Sequence, residues 1–157
     1  PGVGSFGDAM ESMRERGLVD TVKQAAREKI FLGICLGLQL LFESSEESPG
    51  VEGLGILKGK IKTIPKARGL KVPHIGWNSV EINQNAGIFS GIDNESYFYF
   101  VHSYYLKAEE EQIVKASTEY TTHIHASVEK DNIFACQFHP EKSSDVGRKI
   151  LKNFVEL

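Results

Sequence analysis

The chain has 157 residues, 41% of them hydrophobic and 25% charged, with a net charge of -3. That length suits one domain with a sizeable core, and the mild acidity gives no electrostatic pull toward nucleic acid or an anionic membrane. No apolar run approaches the roughly 20 residues of a membrane span, and two cysteines, Cys35 and Cys136, make neither a disulfide framework nor a zinc spacing. The expected setting is cytosolic, without metal or cofactor.

Residues 1–7 (PGVGSFG) form a glycine-rich turn of the kind that follows a strand, so the chain reads as lacking an element in front of it. A helix is expected from an N-cap at Asp8 through residue 16, closed by Gly17. Residues 18–28 carry a second helical pattern, with Leu18, Val22 and Ala25 or Ala26 on one face. Residues 29–34 (KIFLGI) read as a buried strand, 36–42 as a helix, and 44–55 (SSEESPGVEGLG) as a loop. Strand-like runs follow at 59–64, 79–82, 97–101, 113–117, 122–128 and 133–138, joined by turn signals such as Gly91 and Asp131-Asn132. An amphipathic helix spans 143–154. This order predicts a single three-layer α/β domain with a mixed, mostly parallel sheet and an antiparallel extension.

Gly33-Ile34-Cys35-Leu36-Gly37 is G-x-C-x-G, the cysteine form of a nucleophile elbow. A sharp strand-to-helix turn lifts the central side chain above the sheet edge, and small neighbours let backbone pass close by. The helix that begins at Leu36 is expected to lower the thiol pKa with its N–H groups and dipole, and the Leu36 N–H can donate to an oxyanion. Taken alone, the pentapeptide also fits a small buried cysteine in a tight junction. Cys136, inside IFACQF, reads as core.

A thiol nucleophile needs a base, and the base an orienter. In QFHPEKS (137–143), His139 and Glu141 sit two apart at a strand end across Pro140, so a carboxylate can hold one imidazole nitrogen. By itself H-P-E more often marks a surface turn. His123 and His125 alternate along a strand, and His102 follows a β run that could lie near the site. The glycine turn of residues 1–7 offers successive N–H groups, an anion nest that could complete an oxyanion hole with Leu36.

PGVGSFGDAM, GICLGLQLLFESSEE, KVPHIGWN, YFYFVHSYY and QFHPEKS, in this order, resemble the class I, triad-type glutamine amidotransferases. Within them, PHIGWN and FVHSYY resemble the glutaminase subunits of imidazole glycerol phosphate synthases. The resemblance covers essentially the whole chain. It implies a flavodoxin-like fold, normally with a β-α-β segment ahead of PGVG, and a Cys35–His139–Glu141 triad that hydrolyses glutamine to glutamate and ammonia through a thioester. It implies oxyanion donors from Leu36 and the loop of Gly2, Val3 and Gly4. Gln39, Glu47 and the backbone of Ser103 and Tyr104 match positions that hold the substrate. The implied partner is a (β/α)8-barrel cyclase subunit, in a heterodimer that receives the ammonia, with Pro73, His74, Trp77, Asn78 and Lys142 on the partner-facing side. Without the resemblance, Glu47 reads equally as a solvated acidic loop and Trp77 as core. The alternatives are another class I glutaminase or a related cysteine amidohydrolase of this fold, and a non-catalytic binding subunit, against which the intact triad argues.

Overall fold

The computed structural model describes residues 1–83 and 87–157. The chain opens with helices α1 (Phe6–Glu15) and α2 (Val19–Glu28), then strand β1 (Phe31–Ile34), the short helix α3 (Leu36–Leu40) and strand β2 (Ser44–Ser45). Strands β3 (Gly59–Thr63), β4 (His74–Ile82), β5 (Ser96–His102), β6 (Tyr104–Ala108), β7 (Val114–Glu119), β8 (His123–Lys130) and β9 (Ile133–Cys136) follow, and α4 (Ser144–Val155) closes the chain.

The strands form a six-stranded sheet in the order β1-β9-β8-β7-β4-β5 and a three-stranded sheet in the order β2-β3-β6. The α/β class and the mixed sheet match expectation. The parallel share is smaller than expected: in the larger sheet only β1 and β9 run parallel among the described residues, and the other neighbours are antiparallel. Parallel pairing needs a long crossover. Here the chain between β1 and β9 supplies it, while β7, β8 and β9 are joined by short turns.

β9 shows why its sequence is continuously apolar. Ile133 and Ala135 join a core with Phe6, Met10, Ala26 and Leu38 from the first three helices, together with Ile61 and Leu106 of the smaller sheet. Phe134 and Cys136 point the other way, into a core with Phe89, Phe98, Phe100, Phe138 and Ile150 of α4. Helices therefore cover both faces of the sheet, and Cys136 is core as expected. No helix among the described residues is long and apolar enough to cross a membrane.

Three local differences have simple causes. The N-cap of α1 is Ser5, whose hydroxyl accepts from the Asp8 N–H at 3.1 Å, so Asp8 lies in the first turn instead. β4 begins at His74, well before the expected residue 79, with Gly76 at φ 130 inside it; glycine tolerates this backbone, and its presence disguised the strand as a loop. β6, not foreseen, is the partner that β3 needs, pairing Gly59–Thr63 with Tyr104–Ala108.

α4 packs directly on the turn of residues 140–142 because Gly147 lacks a side chain. A Cβ there would lie 1.9 Å from the Pro140 carbonyl oxygen. Gly147→Ala should therefore lower unfolding stability by about 1–3 kcal/mol, the usual cost of forcing atoms into a packed contact. An unchanged urea midpoint would contradict this packing.

Candidate active site

The site grows from the end of β1. Ile34 pairs with Cys136 in parallel register, and the Cys35 N–H donates to the Cys136 carbonyl at 2.8 Å. The chain then turns into α3 at Cys35, which adopts φ 54 and ψ −108, a strained conformation for a residue with a side chain. Gly33 makes the bend possible, since a Cβ on it would stand 2.9 Å from the Gly37 carbonyl oxygen. The elbow read from the sequence is thus present in the backbone.

Beyond β9 the chain continues through Gln137 and Phe138 to His139. The His139 N–H donates to Tyr99 O at 2.9 Å, and Ser143 Oγ bridges the Tyr99 N–H (2.9 Å) and the His139 carbonyl (2.6 Å). This clamp to β5 fixes the loop. His139 Nδ1–H donates to Glu141 Oε1 at 2.6 Å, which leaves the lone pair on Nε2. Nε2 is buried and has no hydrogen-bond partner among the described residues.

Cys35 and His139 border one cavity of about 380 Å³, together with Gly2, Val3, Gly4 and Leu36. Gln39, Glu47, Ser103, Tyr104 and Lys142 line it too, as do Pro73 and His102. Elements far apart in sequence therefore converge on one cavity. Glu141 holds His139 from behind and is not among the residues lining the cavity. Glu47 is not a free acidic loop: its Oε2 accepts the Phe6 N–H at 2.8 Å and so anchors the start of α1.

The expected depression of the Cys35 pKa is not found. Burial pushes the thiol up, opposed by hydrogen bonds from the Leu36 N–H and the Gln137 side chain and by the Lys142 charge; Glu141 adds to the rise. α3 is only five residues long and its field is weak against desolvation. Cys35 is therefore held in its thiol form.

The family model described as glutamine amidotransferase class-I matches residues 1–157. The chain belongs to the class-I glutamine amidotransferases. Over its whole length it is 51% identical to the imidazole glycerol phosphate synthase subunit HisH of Methanocaldococcus jannaschii, covering 78% of that protein. It is 49% identical to the subunit of that name from Moorella thermoacetica, again over 100% of this chain and 74% of the relative. A crystal structure titled glutamine amidotransferase superposes over 97% of this chain and 76% of the other, with a TM-score of 0.68 at 20% identity. A glutamine amidotransferase structure from Thermotoga maritima gives a TM-score of 0.63 at 15% identity, covering 99% of this chain and 60% of that one. At such identities these structures speak for the fold alone.

The residues of this amidotransferase expected on the partner-facing side divide. Pro73 and Lys142 border the cavity mouth, with Lys142 Nζ 5.9 Å from the Tyr99 ring centre. Trp77 is 51% exposed and lies in β4, not in core, edge-on to Tyr99. Asn78 is tied to the sheet, donating to Glu119 O at 2.8 Å. His74 is a correction: it is 3% exposed, stacked between Phe100 and Tyr120, and faces inward. Alternation along β4 explains this, because Ile75 and Trp77 take the outer face and leave His74 the inner one.

The sequence pattern gives Gln137 no role and places His102 only near the site, where it lines the cavity. Gln137 sits in an apolar run without solvent exposure, and its position between a strand and the base was the available signal. His102 Nδ1–H donates to Tyr104 O at 2.8 Å, so its Nε2 accepts from His74 Nδ1–H at 2.9 Å and both rings are neutral. His123 pairs with Glu119 on the surface, and His125 accepts the Ala108 N–H; neither borders the cavity.

Burial holds the pKa of both His74 and His102 down to about 4, whereas unfolded histidine titrates near 6.5. Between those values the unfolded chain binds more protons than the folded one, so stability is lost as pH falls through the window. Resistance to urea should fall from pH 7 to pH 5, each proton adding up to about 1.4 kcal/mol per pH unit to the slope. A flat profile over this range would contradict the neutral pair.

Proposed function

We propose that this chain is the glutaminase subunit of an imidazole glycerol phosphate synthase, hydrolysing L-glutamine and delivering the ammonia to a cyclase subunit. One observation carries the chemistry. His139 presents a buried, unpartnered Nε2 beside the same cavity as a strained, un-ionised Cys35, with Glu141 fixing its tautomer. The choice within the family rests on the 45–51% identity to subunits of that name over 99–100% of this chain.

The steps follow from the resting protonation. His139 Nε2 takes the Cys35 proton as the sulfur attacks the side-chain amide carbon of glutamine, and negative charge builds on the amide oxygen. The N–H of Leu36 and those of the Gly2–Val3–Gly4 loop are the donors for that oxygen. The imidazolium, balanced by Glu141, returns the proton to the departing nitrogen, and ammonia leaves a γ-glutamyl thioester on Cys35. Water attacks the thioester with His139 again as base, giving glutamate and the free thiol. Gln39, Glu47 and the backbone of Ser103 and Tyr104 hold the amino-acid end of the substrate.

Ammonia protonated in water is no longer a nucleophile, so a sheltered route to the second reaction is needed. The cyclase, a (β/α)8 barrel in a heterodimer on this reading, docks at the cavity mouth. The outer face of β4 and β5 suits it, with Ile75 59%, Trp77 51% and Tyr97 60% exposed on one strand pair beside Pro73 and Lys142. Exposed aromatic anchors of this kind are what protein interfaces use.

The test separates the two half-reactions. With the cyclase present, Cys35→Ala should cut glutamine-dependent product formation by about 10³-fold or more, while formation from added ammonium stays unchanged. Substantial glutamine-dependent activity in that variant would overturn the proposal.

A further inference from the structure

The hydrogen bonds around the sulfur lead to Gln137. This residue is fully buried, and its N–H donates to Ala126 O at 2.8 Å, so the sheet fixes its backbone. Its side chain makes two bonds of opposite sense. Nε2 donates to Cys35 Sγ at 3.6 Å, and Oε1 accepts from Gln39 Nε2 at 3.0 Å.

The direction of this chain is not free. Gln39 Nε2 also donates to the Tyr104 carbonyl at 3.1 Å, and a carbonyl can only accept. That bond orients the Gln39 amide, and the Gln39 amide in turn orients Gln137: if flipped, Gln137 would face NH2 to NH2. Gln137 is therefore held as a donor toward the sulfur.

We propose that Gln137 is a positioning residue for the nucleophile, holding Cys35 Sγ with a fixed N–H and tying it to Gln39 in the cavity wall. The inference rests on the glutaminase reading of Cys35. A donor on one side of the sulfur leaves the thiol hydrogen to point elsewhere, and Cys35 shares its cavity with His139. The bond is strongest to the thiolate and weak to a thioester, whose sulfur is a poor acceptor. Gln137 thus opposes the desolvation that keeps the thiol protonated, alongside the Leu36 N–H and Lys142 and against Glu141. His139, His102 and Glu47 border the same cavity, and Cys136 lies beside Cys35 in the register of β1 and β9.

A merely structural amide would stabilise the fold without moving the thiol's titration, and this decides the test. Gln137→Met removes both bonds; Gln137→Glu keeps the acceptor for Gln39 and replaces the donor with a second acceptor. Alkylation of Cys35 by iodoacetamide, read by peptide mass so that Cys136 is not counted, gives its titration midpoint in each protein. The midpoint should rise by about one to two pH units in Gln137→Met, as loss of a hydrogen bond to an ionised group implies, and at least as far in Gln137→Glu. Glutaminase kcat near neutral pH should fall about 10–100-fold and recover partly as pH rises, with KM changing less.

Midpoints equal to that of the unsubstituted protein in folded variants would overturn the proposal. Failure of both variants to fold would also overturn it, assigning Gln137 to the core. If the unsubstituted protein releases no ammonia from glutamine with or without a cyclase, the glutaminase reading falls instead. The alkylation midpoints need no substrate and would still decide what Gln137 does.

Discussion

The parallel pairing of β1 with β9 is the constraint on which the site depends. It places Ile34 beside Cys136 and hands the next N–H, that of Cys35, to the Cys136 carbonyl. Both strands then end at the same level. One turns sharply into α3 and lifts a sulfur; the other runs on through Gln137 to His139. More than a hundred residues separate Cys35 and His139 in sequence, yet two hydrogen-bonded strand ends bring them to one cavity. A slip of one residue would turn every β9 side chain to the opposite face and take Gln137 and the base away from the sulfur.

Around that pairing the molecule uses rigidity where chemistry needs it. The strained Cys35 backbone persists because glycine at 33 admits the close carbonyl and α3 seals the bend. His139 is clamped from β5 through Tyr99 and Ser143, and α4 closes on the same turn. Groups lining the cavity are likewise cross-tied, Glu47 to the start of α1 and Gln39 to Tyr104 and Gln137. The resulting thiol is not ionised at rest. On the proposed mechanism its reactivity depends on transfer to His139, with Cys35, His139 and Glu141 handling the proton as one unit.

Much of this was legible in the sequence for a definite reason. G-x-C-x-G and H-P-E encode local backbone geometry, and such geometry is written in neighbouring residues. The same holds for β9, whose unbroken apolar run announces burial on both faces. The strand pairings are not local, and so the excess of antiparallel neighbours could not be read. β4 was hidden by Pro73 and Gly76 near its start, and β6 by the polar and aromatic mixture of SYYLKA. The pKa of Cys35 was misread because a helix dipole can be seen in sequence and the depth of burial cannot. His74 was placed outside for the same reason: one strand residue's facing depends on which of its neighbours meet solvent.

The central claim is that the sulfur at the end of β1 attacks the glutamine amide carbon with the help of the base beyond β9. A glutamine analogue carrying an electrophilic carbon in place of the side-chain amide tests this directly, with peptide mass mapping of the adduct. The expected result is stoichiometric labelling of Cys35, protected by glutamine and strongly slowed in His139→Ala. Labelling of Cys136, or labelling of Cys35 that neither glutamine nor loss of His139 affects, would contradict it.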